Sequence, residues 1–136
     1  MSYDNPSRLS YTFTVVDFGT GSDHTQAIPV PQSGSQGRSG RVTDIVISDV
    51  LEDFLGDTTD AGIQVGDGTD ADKYYDTGLV LAEAVDVSDN ESLWLVDDGS
   101  KVDIELARST LTVTFVQSVG GSIAGQADVT VWVDWY

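Results

Sequence analysis

Apolar and polar positions alternate with period two in several separate segments of this chain, and no stretch repeats at helical spacing over more than one turn. Ser10 to Phe18 is the first such run, with Tyr11, Phe13 and Val15 alternating against Thr12, Thr14 and Val16 in a β-branched and aromatic segment. From Arg41 to Val50 the positions Val42, Ile45, Ile47 and Val50 fall partly in register, and the Ile-Val-Ile centre reads as a strand buried on both faces. Leu51 to Phe54 carries a weak signal for a turn or short helix. Ala61 to Gly66 is a short strand, and Leu79 to Val87 another. Leu93 to Val96 and Lys101 to Leu106, joined by Asp98-Gly99, read as a compact hairpin. Thr110 to Val119 and Ala127 to Tyr136 are the clearest strands, and Gly120, Gly121 and Gly125 between them predict an antiparallel pair. In the last strand Val129, Val131, Val133 and Trp135 share one face, and Thr130, Trp132, Asp134 and Tyr136 the other.

Seven or eight strands with frequent turn signals predict an all-β fold, a β-sandwich or jelly roll of about eight antiparallel strands with at most one short helix. That helix is the turn within ADKYYD, with Asp70 as its N-cap after the Gly66-Asp67-Gly68 turn. The 136 residues suit one domain, 1–136. A flexible N-terminal arm (1–9) and a long Gly/Ser/Pro-rich connection (19–40), with Pro29, Pro31 and SGSQGRSG, complete the expected organisation.

Charge narrows the partners. With 23 Asp and Glu against 6 Lys and Arg the formal net charge is -17. A phosphate backbone is repelled by such a surface, so no nucleic acid is expected as a partner; anionic lipid is excluded on the same ground, and no apolar run approaches the length of a membrane helix. MSYDNPSRLS has neither the basic region nor the apolar stretch of a secretory signal, so export of the usual kind is not expected. The chain has no cysteine, which removes disulfides and thiolate metal ligation.

No residue pattern predicts catalysis or a cofactor. The single histidine, His24, lies in a Gly/Ser/Asp context without a GxSxG-type nucleophile motif and reads as a solvated loop residue. Among 23 acids some carboxylate pair must stand at a glycosidase-like separation by chance, so that signal is empty without a cleft. GDGTDADKYYD offers Asp67, Asp70, Asp72 and Asp76 as calcium candidates, yet Thr69 and Ala71 occupy ligand positions of a DxDxDG loop and no Glu closes it. A capped turn is the favoured reading, and no metal is expected. Trp94, Trp132 and Trp135 with Tyr11, Tyr74, Tyr75 and Tyr136 suit either core packing or a sugar-stacking platform, core packing being the more frequent. Arg8, Arg38, Arg41 and Trp132 are the candidate partner contacts: the two central arginines flank the Gly/Ser segment, and Trp132 leaves the valine face of the last strand.

Two stretches, IVISDVLEDFLGDTTDAGIQVGDGTDADKYYDTG and the closing TLTVTFVQSVGGSIAGQADVTVWVDWY, resemble the small β-rich decoration, or cement, proteins of tailed bacteriophages. The resemblance covers roughly Val42 to Tyr136, and its motifs are shared by other phage head and tail proteins. It implies a non-enzymatic, jelly-roll-like subunit, made in the host cytoplasm, that sits on the virion's capsid exterior as a homotrimer and bridges neighbouring copies of the major capsid protein. A tail or head–tail component and a carbohydrate-binding β-sandwich module are the alternatives.

Overall fold

A computed structural model describes residues 7–30, 38–55, 61–76, 93–94, 102–107, 110–117 and 123–135. They are all-β, without a helix, and form two antiparallel sheets packed as a sandwich. The strands are β1 (Ser7–Asp17), β2 (His24–Pro29), β3 (Arg38–Leu55), β4 (Gly62–Gly66), β5 (Tyr75–Asp76), β6 (Leu93–Trp94), β7 (Val102–Ala107), β8 (Thr110–Val116) and β9 (Ala124–Trp135). One sheet, A, has the order β1-β9-β3, with β6 and β7 both on the far side of β3; the other, B, has the order β2-β8-β4-β5.

Each sheet is built around one of the two cleanest period-two segments. In β9 the alternation is complete: Ala127, Val129, Val131, Val133 and Trp135 are all fully buried, and the residues between them are half-buried. In β8 Leu111, Val113 and Phe115 face inward, and Thr112 and Thr114 lie on the other side. Ile28, Ile63 and Val65 from sheet B meet Val42, Ile45 and Ile47 from sheet A between these two central strands. Burying a side chain as large as Trp135 or Phe115 supplies about 2–3 kcal/mol of transfer free energy. Trp135 also finds a partner for its indole N–H, which donates to Tyr11 Oη at 3.2 Å.

β8 and β9 therefore do not form the antiparallel pair that their adjacency predicts. β8 pairs with β2 and β4, and β9 with β1 and β3. Two strands that each carry one fully apolar face bury more surface by facing each other across the core than by lying side by side. The predicted 93–106 hairpin also differs: β6 pairs with Val46 and Ile47, and β7 with Val42 back to Arg38, so the two follow one another along the same edge of β3.

Ile45, Val46 and Ile47 are buried together, Val46 on the face away from the core, as expected of a strand covered on both sides. Leu51 to Phe54 continues β3 instead of turning into a helix. Asp49 at φ 48° takes up two extra residues against β9 between Ser48 and Glu52, leaves Leu51 60% exposed and returns Phe54 to the core. The expected Gly/Ser/Pro-rich connection contains β2, whose inward His24, Gln26 and Ile28 alternate with Thr25, Ala27 and Pro29, and it ends at Arg38 where β3 begins. Ser7, Arg8 and Leu9, expected in the N-terminal arm, belong to β1 and pair with Trp135, Asp134 and Val133. The predicted strand at Leu79 to Val87 lies outside the described residues.

Candidate functional site

Three places hold the residues with chemical potential. The first is the outward face of sheet A. Because β9 is flanked by β1 and β3, the register sets cross-strand rows: Arg8, Asp134 and Arg41 in one, Ser10, Trp132 and Asp44 in the next, Thr12, Thr130 and Val46 in the third. Arg8 grips Asp134 with both arms of its guanidinium, Nε to Oδ1 at 2.8 Å and Nη2 to Oδ2 at 3.3 Å. The hydrogen bond to Asp134 and that carboxylate's charge, with a further contribution from Asp44, raise the Arg8 pKa above its usual value. Thr12 and Thr130 share a hydroxyl–hydroxyl bond of 3.0 Å. Trp132 is half-buried between these polar rows.

Three of the four candidate contacts, Arg8, Arg41 and Trp132, thus come from three segments to one end of one face. Their assembly follows from β9 lying between β1 and β3. The fourth, Arg38, opens β3 opposite Ala107, and its side chain lies outside the described residues.

The second place is the acidic loop. Asp67, not Asp70, is its organising residue: Oδ1 accepts the amides of Thr69 at 2.8 Å and Asp70 at 2.7 Å, and Oδ2 takes the Lys73 ammonium at 3.2 Å. Instead of a capped helical turn the segment is a loop closing the β4–β5 hairpin, with Tyr74 N donating to Val65 O at 2.9 Å. Gly66 is required there, since a Cβ would overlap the Asp70 carbonyl oxygen and the Ala71 backbone. The Asp70 and Thr69 amides, and then Lys73, lower the Asp67 pKa, whereas Asp72 raises that of Asp70. Asp76 lies apart on β5, 3.5 Å from Gln64 Nε2. Among the described residues no three acidic or imidazole groups converge as a metal site, and both oxygens of Asp67 already accept hydrogen bonds from the chain itself.

The third place was not legible as a site. Along the side where β1 edges sheet A and β2 edges sheet B, a groove of about 530 Å³ opens between Phe13, Val15, Asp17, His24, Gln26 and Phe115. His24 is half-buried rather than a solvated loop residue. Its ring lies 5.1 Å from the Phe115 ring, and its Nδ1 is 3.5 Å from Gln117 Nε2. Phe13 meets Phe115 edge-on at 5.4 Å. At the rim Val15 is 53% exposed with φ 51°, a conformation costly for a β-branched side chain, and its amide is held by Asp128 Oδ1 at 2.9 Å. The signal that points to this groove is the His24-Gln26-Ile28 alternation, which the surrounding Gly and Pro residues conceal.

Of the tryptophans, Trp135 is a core residue and Trp132 lies on the outer face; Trp94 sits opposite Val46 in register, with its side chain outside the described residues. Comparison of the chain with protein-family models, with curated proteins and with solved structures gives no match.

Proposed function

We propose that this protein is a non-catalytic structural module that works by surface binding and, on the resemblance set out above, that it decorates the exterior of an icosahedral phage capsid as a homotrimer, bridging major capsid subunits. The observation that carries the binding reading is the outer face of sheet A. There a rigid three-strand platform presents Arg8, Trp132 and Arg41 in fixed register, and such a platform orders little on docking. The resemblance supplies the shell as partner. A subunit that bridges lattice neighbours stabilises only the intact shell, because its binding free energy is available to that state alone. The charge of -17 suits a protein that must stay soluble until it assembles.

Light scattering on a sizing column tests this, run alongside co-sedimentation with mature, undecorated phage shells. The expected mass is three times the 14.5 kDa of the chain, with saturable pelleting on shells. A monomer at all concentrations and salts that leaves the shells bare overturns the reading, and a ring of higher order favours the tail or head–tail alternative.

Trp132, half-buried among Ser10, Asp44 and the Thr12–Thr130 pair, favours a second reading as a carbohydrate-binding module, since an indole flanked by hydroxyls and carboxylates suits a pyranose face. Quenching of tryptophan fluorescence by a soluble glycan, lost in Trp132→Ala, is its test.

A further inference from the structure

Both long sides of a two-sheet sandwich end in edge strands, and each edge is a template for another strand unless something blocks it. On the side of the groove the two edges differ. β1 is broken for this purpose: between Phe13 and Val16 it carries one residue more than β9, and Val15 turns into the left-handed region. β2 is regular, paired residue for residue with β8 from His24↔Phe115 to Pro29↔Thr110, and no strand pairs with its other edge among the described residues. Its inward residues are also unusual. Ile28 is in the core, but His24 and Gln26, on the same face, look into the groove, where the sandwich is not filled.

From these observations we infer that the outer edge of β2, unpaired among the described residues, accepts an extended, lysine- or arginine-bearing segment of a partner protein as an added strand, with one apolar side chain of that segment seated in the groove against Phe13, Val15 and Phe115. The inference rests on the binding reading above and names how a partner is gripped. Strand addition takes its affinity from main-chain hydrogen bonds and its selectivity from pockets spaced at every second residue. Here the groove is that pocket. Its floor is aromatic, and its rim holds an apolar side chain exposed in a strained conformation that Asp128 maintains, which is how a preformed contact is kept in place before a ligand arrives.

Charge selects the occupant. Asp17 lines the groove and Asp23 immediately precedes β2, while the lining described includes no lysine or arginine. Of the cations whose partners are described, Arg8 is engaged by Asp134 and Lys73 by Asp67, and neither lines the groove. A basic segment is attracted to these carboxylates and to a chain of net charge -17, whereas an acidic segment is repelled. The addition is short, because Pro29 ends β2 and its carbonyl already accepts from Tyr11 Oη at 3.3 Å.

The test is a fluorescently labelled peptide of about eight residues, alternating Val with Lys, titrated into the whole protein while anisotropy and backbone amide NMR shifts are followed. Saturable, salt-weakened binding is expected, with shifts confined to Phe13–Val16 and His24–Ile28. N-methylation at every second residue should abolish binding in one register and spare it in the other, since an added strand bonds through alternate residues. Val15→Gly should raise the melting temperature by relieving strain and weaken peptide binding about tenfold, an opposition that a purely structural role for Val15 does not produce. Equal binding of both N-methylated peptides, equal binding of a Val/Glu peptide, or shifts centred on residues 67–76 overturns the inference. So does concentration-dependent movement of the His24–Ile28 amides without peptide, which would assign the edge to a second copy. None of these outcomes alters the mass and shell-binding measurements that test the module itself.

Discussion

Gly125 and Phe54 occupy one another's space: a Cβ on Gly125 would sit 2.5 Å from Phe54 Cδ1, and Gly125 has φ +146°. The contact closes the end of the sandwich where β3 returns after its bulge. Phe54 packs on Phe18 at 5.2 Å, Phe18 N donates to Gly125 O at 2.7 Å, and Gly125 N donates to Glu52 Oε1 at 3.0 Å. Gly125→Ala therefore combines backbone strain with overpacking and should cost about 3 kcal/mol in chemical denaturation. A loss below about 1 kcal/mol would show that this end relaxes freely.

Gln117 ties the end of β1 and the β1–β2 connection to the end of β8 from a position only 2% exposed. Its Oε1 accepts Thr20 N at 2.9 Å and Thr20 Oγ1 at 3.0 Å, its Nε2 donates to Asp17 O at 3.1 Å, and its own amide reaches Asp23 Oδ1 at 2.8 Å. Gln117→Leu keeps the volume but strips the Thr20 amide of its side-chain acceptor, and should destabilise by about 2–3 kcal/mol. Hydrogen exchange at Thr20 should accelerate in the variant; unchanged protection there would place the anchor of the β1–β2 connection elsewhere.

The acidic loop predicts a sign for pH dependence. Chain amides and Lys73 hold the Asp67 pKa below its ordinary value, so its contribution is present above the unfolded-state pKa and is lost as pH falls through the folded one. Asp67→Asn should lower the melting temperature near neutral pH, and its difference from the parent should close as pH falls through the folded-state pKa of Asp67. Asp70, raised chiefly by its interaction with Asp72, works in the opposite sense, since protonating it favours the fold. Carboxyl-carbon NMR titration should place Asp67 below Asp70, and the reverse order would refute the assignment of Asp67 as the residue that organises the loop.

A chain with 23 acidic and 6 basic residues repels itself in the compact state. Raising sodium chloride from about 10 mM to about 150 mM shortens the screening length from about 30 Å to about 8 Å and should raise the melting temperature. Calcium should add nothing beyond its ionic strength if Lys73 keeps its place on Asp67. A specific calcium shift, removed by chelator, would show that a cation displaces it.

Local chemistry was enough to declare the all-β class, the inward face of β9, the covering of Ile45-Val46-Ile47 on both sides and the chain reversal at Gly66-Asp67-Gly68. Each depends on which side of the backbone a residue falls, and period two states that directly. Pairing is another matter. Alternation assigns a face but not a sheet, so β8 and β9, read as a hairpin, separate into opposite sheets to bring Leu111, Val113 and Phe115 against Val129, Val131 and Val133. The partners of β9 come from Ser7–Asp17 and Arg38–Leu55, far along the chain, and only their packing around one core selects them. The Arg8–Asp134–Arg41 row and the groove beside His24 inherit that long-range choice. Tertiary structure alone decided that Arg8 and Trp132 share a face, that His24 leaves its Gly/Ser surroundings to lie against Phe115, and that Val15, the first of two adjacent valines in an alternating run, is the residue turned out at a bulge.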